Sequence, residues 1–132
     1  MPLLLLLAAT LNCSVLATAT VGGAFGPVQQ QTKACQFTGA DFELTVDVST
    51  LPAVSEFSDF AKTACQGGHD VAPLKAIGNE AIACSLGNGN PTVEKVVGRV
   101  RNKAFVIRFS GADKGARSKM AGLAEQVAGN LF

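Results

Sequence analysis

The stretch Thr92–Ser110, TVEKVVGRVRNKAFVIRFS, decides how this chain folds. Two runs rich in β-branched and aromatic residues flank Asn102-Lys103, the spacing of a two-residue hairpin turn. A turn there sets Val100 opposite Phe105, Gly98 opposite Ile107 and Val96 opposite Phe109. Side chains alternate along a strand, so these six positions share one face, and that face is apolar enough to look into a core. The other face carries Lys95, Val97, Arg99, Arg101, Ala104, Val106 and Arg108, and is expected to meet solvent or a partner. Asn-Lys is a weaker turn than Asn-Gly, so the alternation rather than the turn residues carries the register.

Outward from the hairpin, the chain reads as one domain. Its 132 residues leave room for a core. An apolar content of 48% with 16% charged residues is globular, not disordered. A net charge of +1 gives no bulk attraction to nucleic acid or acidic membranes. Trp and Tyr are absent, so any stacking platform must be Phe.

Phe42–Ser49 (FELTVDVS) alternates cleanly, with Phe42, Leu44, Val46 and Val48 inward. Lys33–Thr38 and Ala81–Leu86 read as shorter strands. Ala53–Ala64 places Val54, Phe57, Phe60 or Ala61, and Ala64 on one helical stripe. Ala116–Leu131 does the same with Met120, Leu123, Ala124, Val127, Ala128 and Leu131. Ser14–Phe25 is a poor helix by propensity, with Thr18-Ala19-Thr20 and Gly22-Gly23 inside it. Gln29–Gln31, Gln66–Asp70, Gly87–Pro91 and Gly111–Gly115 read as loops. The expected fold is α+β, in the order α-β-β-α-β-β-β-α. An antiparallel sheet of four or five strands carries its helices on one face.

The run Met1–Leu11 is too short to span a bilayer, which takes about 20 residues. It reads as the apolar region of a secretory leader without a charged start, the first cation being Lys33. The other reading is a buried N-terminal helix. Cleavage after Ala17-Thr18-Ala19 would leave three cysteines, whereas cleavage near Ala8-Ala9 keeps all four. Even parity favours the earlier cut, with residues 1–11 as leader remnant and 12–132 as the domain. Cys13 follows Thr10-Leu11-Asn12, a poor lipobox, because Asn12 stands where a small residue is wanted. Any membrane association is thus expected only through a leader or lipid anchor.

Cys13, Cys35, Cys65 and Cys84 allow three pairings. The sequence-local one, Cys13–Cys35 with Cys65–Cys84, would close loops of about 20 residues, each contributing about 3 kcal/mol. No C-x-x-C is present and His69 is the one histidine, so no zinc site and no cofactor are expected.

In order, Cys13-Ser14-Val15-Leu16, Gly26-Pro27-Val28, Cys35-Gln36-Phe37, Ile77-Gly78-Asn79-Glu80-Ala81, the valine-rich hairpin and the alanine-rich terminal helix form a pattern. It resembles that of small secreted and lipoprotein domains of unknown function in bacterial envelopes. Those have a leading C-x-L-L helix whose cysteine pairs with that of the first strand, and a G-[IVL]-G-[DN]-E-A turn. The resemblance covers Asn12 to the end. It implies an α+β domain with an antiparallel sheet, a Cys13–Cys35 bond, and no catalytic residues to carry over. The chain departs from the pattern at Gly22-Gly23 and in its second pair, Cys65 and Cys84.

His69-Asp70 is the one place where a hydrolase could be sought, with Ser85 or Ser110 as nucleophile, but no G-x-S-x-G elbow surrounds either serine. Asn79 reads as a turn residue tolerating the left-handed region, and Glu80 as a cap for nearby amides. The sharpest candidate is the hairpin's basic face, where Lys95, Arg99, Arg101 and Arg108 would meet an anionic polymer or an acidic protein patch. Glu43 and Asp47 on the neighbouring strand would neutralise it if they lie within about 4 Å. Nucleic acid is not expected, since that face has no interleaved aromatics. The expected function is a non-catalytic exported domain, secreted or envelope-associated, that binds a partner. The alternative is a small hydrolase using His69 with a nearby Ser or Asp.

Overall fold

The hairpin forms with its faces as expected and its turn one residue earlier. In the computed structural model, which describes residues 13–30 and 35–132, β6 (Thr92–Val100) and β7 (Lys103–Gly111) flank the turn Arg101-Asn102. Val100 therefore faces Lys103, Gly98 faces Phe105, Val96 faces Ile107 and Glu94 faces Phe109. Each residue's partner moves by two positions, so its face is preserved, and Phe105, Ile107 and Phe109 are fully buried.

The physical reasons for this register lie outside the turn dipeptide. Gly98 leaves room for the Phe105 ring, whose Cζ would sit 2.5 Å from any Cβ placed there. The Asn79 side-chain carbonyl accepts the Arg101 N–H at 2.6 Å, and the Asn102 carbonyl accepts the Leu51 N–H at 2.7 Å. Those contacts hold Arg101 at a φ of 54°.

Seven strands are present among the described residues, against the four or five expected, all antiparallel in the order β1-β2-β3-β7-β6-β5-β4. The five expected strands are β2 (Gln36–Gly39), β3 (Phe42–Thr50), β5 (Glu80–Leu86), β6 and β7. The two additions are β1 (Val28–Gln30) and β4 (His69–Leu74), one at each edge, each overlapping an expected loop, at Gln29 and Gln30 and at His69 and Asp70. An edge strand pairs on one side only and needs no apolar alternation, so polar β1 carries no pattern to read. Strand β4 contains Pro73 and a register shift between His69 and Ala72, both tolerated at an edge. The expected leader, residues 1–11, and the expected strand start at Lys33 lie outside the described residues.

The helices sit on both faces of the sheet, not on one. Helices α1 (Thr18–Phe25) and α3 (Ala116–Leu131) cover the inner face, where Val21, Met120, Leu123 and Val127 pack on Phe37, Leu44, Phe105, Ile107 and Phe109. Helix α2 (Phe57–Ala64) lies on the outer face, where Phe57 and Ala61 pack on Val97, Ala104 and Cys84. The face expected to be open and basic thus holds a second, smaller core. Val97 and Ala104 with Cys84 and Ile82 of β5 form an apolar strip across the sheet middle, and that strip needs a cover.

Helix α1 forms despite its glycines. An eight-residue helix does not stand alone in water, and this one is set by its contacts. Val21 is fully buried, the Val15 carbonyl accepts the Asn130 side-chain N–H at 2.9 Å, and Cys13 bonds Cys35.

Both disulfides close in the sequence-local pairing: Cys13–Cys35 and Cys65–Cys84, with Cα separations of 4.7 and 6.1 Å. The first fastens the segment before α1 to the start of β2. The second fastens the end of α2 to β5.

Candidate functional site on the outer face

The four basic hairpin residues do not all converge: Lys95 and Arg108 face each other across the ladder, whereas Arg99 and Arg101 are drawn to other groups. Lys95 is half-buried at the end of α2 and donates from Nζ to the Ala64 carbonyl at 2.8 Å, capping the helix C-terminus. Burial first, and the charge of Arg108 second, hold its pKa below the ordinary lysine value. Arg99 pairs through Nε with Glu80, directly opposite on β5, and its Nη1 donates to the Arg101 carbonyl at 3.0 Å. Arg101 sits in the turn with its guanidinium 6.0 Å from the Phe132 ring centre. Arg108 is exposed, directly between Lys95 and Thr45 of the neighbouring strands. Glu43 and Asp47 form no ion pair with any of the four among the described residues.

The cross-strand partners differ from those expected, because the turn lies one residue earlier. Arg99 faces Ala104 rather than Val106, Lys95 faces Arg108, and Arg101 has left the ladder.

The Ile77–Ala81 turn is a latch on the hairpin. Gly78 has a φ of 59°, and a Cβ there would lie 2.4 Å from the Arg99 carbonyl oxygen, so only glycine lets the two backbones approach. Asn79 donates its backbone N–H to that carbonyl at 2.9 Å and accepts from Arg101 on its side chain. It is Gly78 and Ala76, not Asn79, that take positive φ, and Glu80 meets Arg99 rather than capping amides. Asn79→Ala is expected to cost about 1 kcal/mol, one hydrogen bond to an exposed amide, and to speed hydrogen exchange at Arg101 first. Unchanged exchange there would refute the latch.

His69 is spoken for on both ring nitrogens. Nδ1 lies 3.0 Å from the Asp70 carboxylate and Nε2 lies 3.1 Å from the Gly87 carbonyl. Two acceptors suit the imidazolium, which donates to both, so the hydrogen bond to Asp70 first and that to Gly87 second raise the pKa above the ordinary histidine value. A pKa raised in the folded state adds stability below the unfolded value, and that stability is lost as pH rises through the folded pKa. Asp70→Asn is expected to return the His69 ring titration, followed by proton NMR, toward the ordinary value. A titration that does not move would show that the pair is absent in solution.

The serine beside it is engaged elsewhere. Ser85, paired with His69 on the neighbouring strand, donates its hydroxyl to Glu94 and accepts from Arg117 Nη2 at 2.9 Å. Arg117 Nε meets Glu94 at 2.8 Å. This Ser85–Glu94–Arg117 group, with Glu94 9% exposed, ties the first turn of α3 to β5 and β6. It satisfies a buried carboxylate and commits the single Ser85 hydroxyl proton to Glu94, leaving none to donate to His69. No group of three or more His, Cys, Asp or Glu residues is placed to hold a metal ion among the described residues.

Two clefts flank α2. A cleft of about 580 Å³ opens between α2 and the ends of β3 and β7, lined by Asp47, Leu51, Glu56, Asp59, Phe60 and Val106 among others. A second of about 380 Å³ opens on the opposite flank of α2, lined by Phe57, Ala61, Cys65, Val71 and Ile82 and rimmed by Lys62 and Glu80. Val71 is 57% exposed. The sequence hides these clefts, because they arise where a short helix fails to cover a wide sheet. Their residues come from segments read separately as strand, breaker and helix.

No protein-family model matches the chain, and no curated protein matches it. Among solved structures, the chain is similar to the solution structure of cyanobacterial PsbP (CyanoP) from Synechocystis sp. PCC 6803. The TM-score is 0.43 at 19% identity, over 72% of this chain and 71% of that one.

Proposed function

We propose that this chain is an exported, disulfide-stapled binding domain without chemistry of its own, akin to the secreted and lipoprotein domains of bacterial envelopes. Its binding surface is the outer face on either side of α2. One observation carries this reading: the Cys65–Cys84 bond pins an eight-residue helix over the middle of a seven-stranded sheet, and both flanks stay open and partly apolar. Apolar clefts with a few polar groups at the rim are what ligand surfaces offer. The second bond matters for location too, since paired cysteines persist in oxidising compartments. No helix among the described residues is long and apolar enough to cross a membrane.

The test is a fragment screen on the ¹⁵N-labelled, oxidised full chain, read by amide shifts. Hits are expected to gather at Leu51–Ala64, Val71 and Ile82. Hits gathered on α3 would overturn the choice of face. Binding of an acidic peptide at Thr45, Lys95 and Arg108 would restore the anionic partner expected from the hairpin. Esterase, phosphatase or peptidase turnover that vanishes in His69→Ala would overturn the non-catalytic reading and establish the hydrolase.

A further inference from the structure

The larger cleft has a charge pattern opposite to the one expected of this face. Asp47 stands on β3, forming one wall, while Glu56 and Asp59 stand on the other, at the entry to α2 and on its first turn. All three are exposed, and none forms an ion pair among the described residues. Among the described residues, the one cation lining the cleft is Lys95, held on the Ala64 carbonyl at the far end of the helix. At the rim, Lys103 Nζ donates to the Thr50 hydroxyl at 2.8 Å. Between the walls, Leu51, Phe60 and Val106 supply an apolar floor, with Leu51 5% exposed and the other two half-buried. The cleft therefore offers, on both sides of an apolar strip, carboxylates that form no ion pair among the described residues.

We infer that this cleft docks a basic, amphipathic peptide segment of a protein partner, one apolar side chain lying on Phe60 and Val106 between lysines or arginines that reach Asp47, Glu56 and Asp59. The inference rests on the binding-domain reading above and adds the chemistry of the partner. An anionic segment would face three uncompensated carboxylates. A purely apolar one would leave them unused. A small polyamine would satisfy the charges and leave the floor bare. Charge complementarity across a rim acts mainly on association rate and specificity, so the complex is expected to be salt-sensitive.

The experiment titrates acetyl-Lys-Leu-Lys-Phe-Lys-amide into the labelled, oxidised chain. The controls are the same peptide with Glu for Lys, the same peptide with Gly for Leu and Phe, and spermidine. Saturable shifts are expected at Asp47–Thr50, Glu56–Ala64 and Val106 with the first peptide alone. The combined variant Asp47→Asn, Glu56→Gln, Asp59→Asn is expected to weaken binding about tenfold, as three surface pairs would. If that variant melts early, Asp59→Asn alone, on the exposed side of α2, still has to weaken it about twofold.

Equal binding of the Glu peptide or of spermidine would overturn the inference, as would unchanged affinity in the variants. Concentration-dependent broadening of the cleft without peptide would assign it to a second copy and equally overturn it. Fragments that enter the cleft while no basic peptide does would sink this inference and spare the binding-domain reading. If no basic peptide binds and fragments enter neither this cleft nor the one beside Val71 and Ile82, both fall.

Discussion

Phe109→Ala is expected to remove about 4 kcal/mol of folding stability. Phe109 is fully buried on β7. Its ring lies 4.8 Å from that of Phe25 and 6.0 Å from that of Phe42, so three rings join α1, β3 and β7 at one point. Truncation removes the transfer free energy of the ring and leaves a cavity that two aromatic neighbours and a sheet backbone fill poorly. The lost ring contacts add about 1 kcal/mol to that range. Since domains of this size are stable by about 5–15 kcal/mol, the variant would keep a small margin at best. Urea melts of the oxidised protein are the measurement, with a lower midpoint at unchanged slope. Phe132→Ala, at a ring 66% exposed, is the control and should change stability by less than about 0.5 kcal/mol. A loss below about 1.5 kcal/mol for Phe109→Ala would show that the inner core is not packed as described.

Removing the Cys65–Cys84 bond is expected to cost about 3 kcal/mol and, more tellingly, to free one helix. The bond closes a loop with a sequence separation of 19, for which chain entropy predicts that magnitude. Helix α2 has eight residues and buries only Phe57 and Ala61 within its span. Helices that short do not persist on their own hydrogen bonds. In the double variant Cys65→Ala, Cys84→Ala, the amides of Phe57–Ala64 should lose protection from hydrogen exchange while those of β6 and β7 keep most of theirs. Removing Cys13–Cys35, at a separation of 22, should cost a similar amount but loosen α1 instead. Retained protection in α2 without its disulfide would mean that packing alone holds it, and the open clefts could not then be ascribed to a pinned helix.

The same contrast between local and distant causes separates what was legible in the sequence from what was not. Strand β3 and both hairpin arms were legible because alternation is a local property, and a shift of two positions in pairing leaves each side chain on its face, although Val48, expected inward, is 40% exposed. The buried side of α3 was legible for the same reason, through its helical period. Strand β4 was not, since an edge strand containing Pro73 has half its partners and no buried stripe to advertise it. The four cations could be placed on or beside one face of a hairpin. Their separation could not be foreseen: Lys95 is drawn to the end of α2 and Arg99 to Glu80, groups 31 and 19 residues away.

By itself, then, the sequence determined the fold class, the inward side chains of the hairpin arms and the lack of a serine elbow, and it favoured the cysteine pairing with short loops. All of these follow from spacing along the chain. Only the tertiary structure decided the hairpin register, the two edge strands, the placing of helices on opposite faces and the clefts beside α2. Those depend on what meets across space: a ring filling the room over Gly98, a carbonyl of Asn79 holding Arg101, and an eight-residue helix set on a sheet too wide for it. A pattern of residue types records which side of a strand is apolar. It does not record how much of that side a neighbour is long enough to cover.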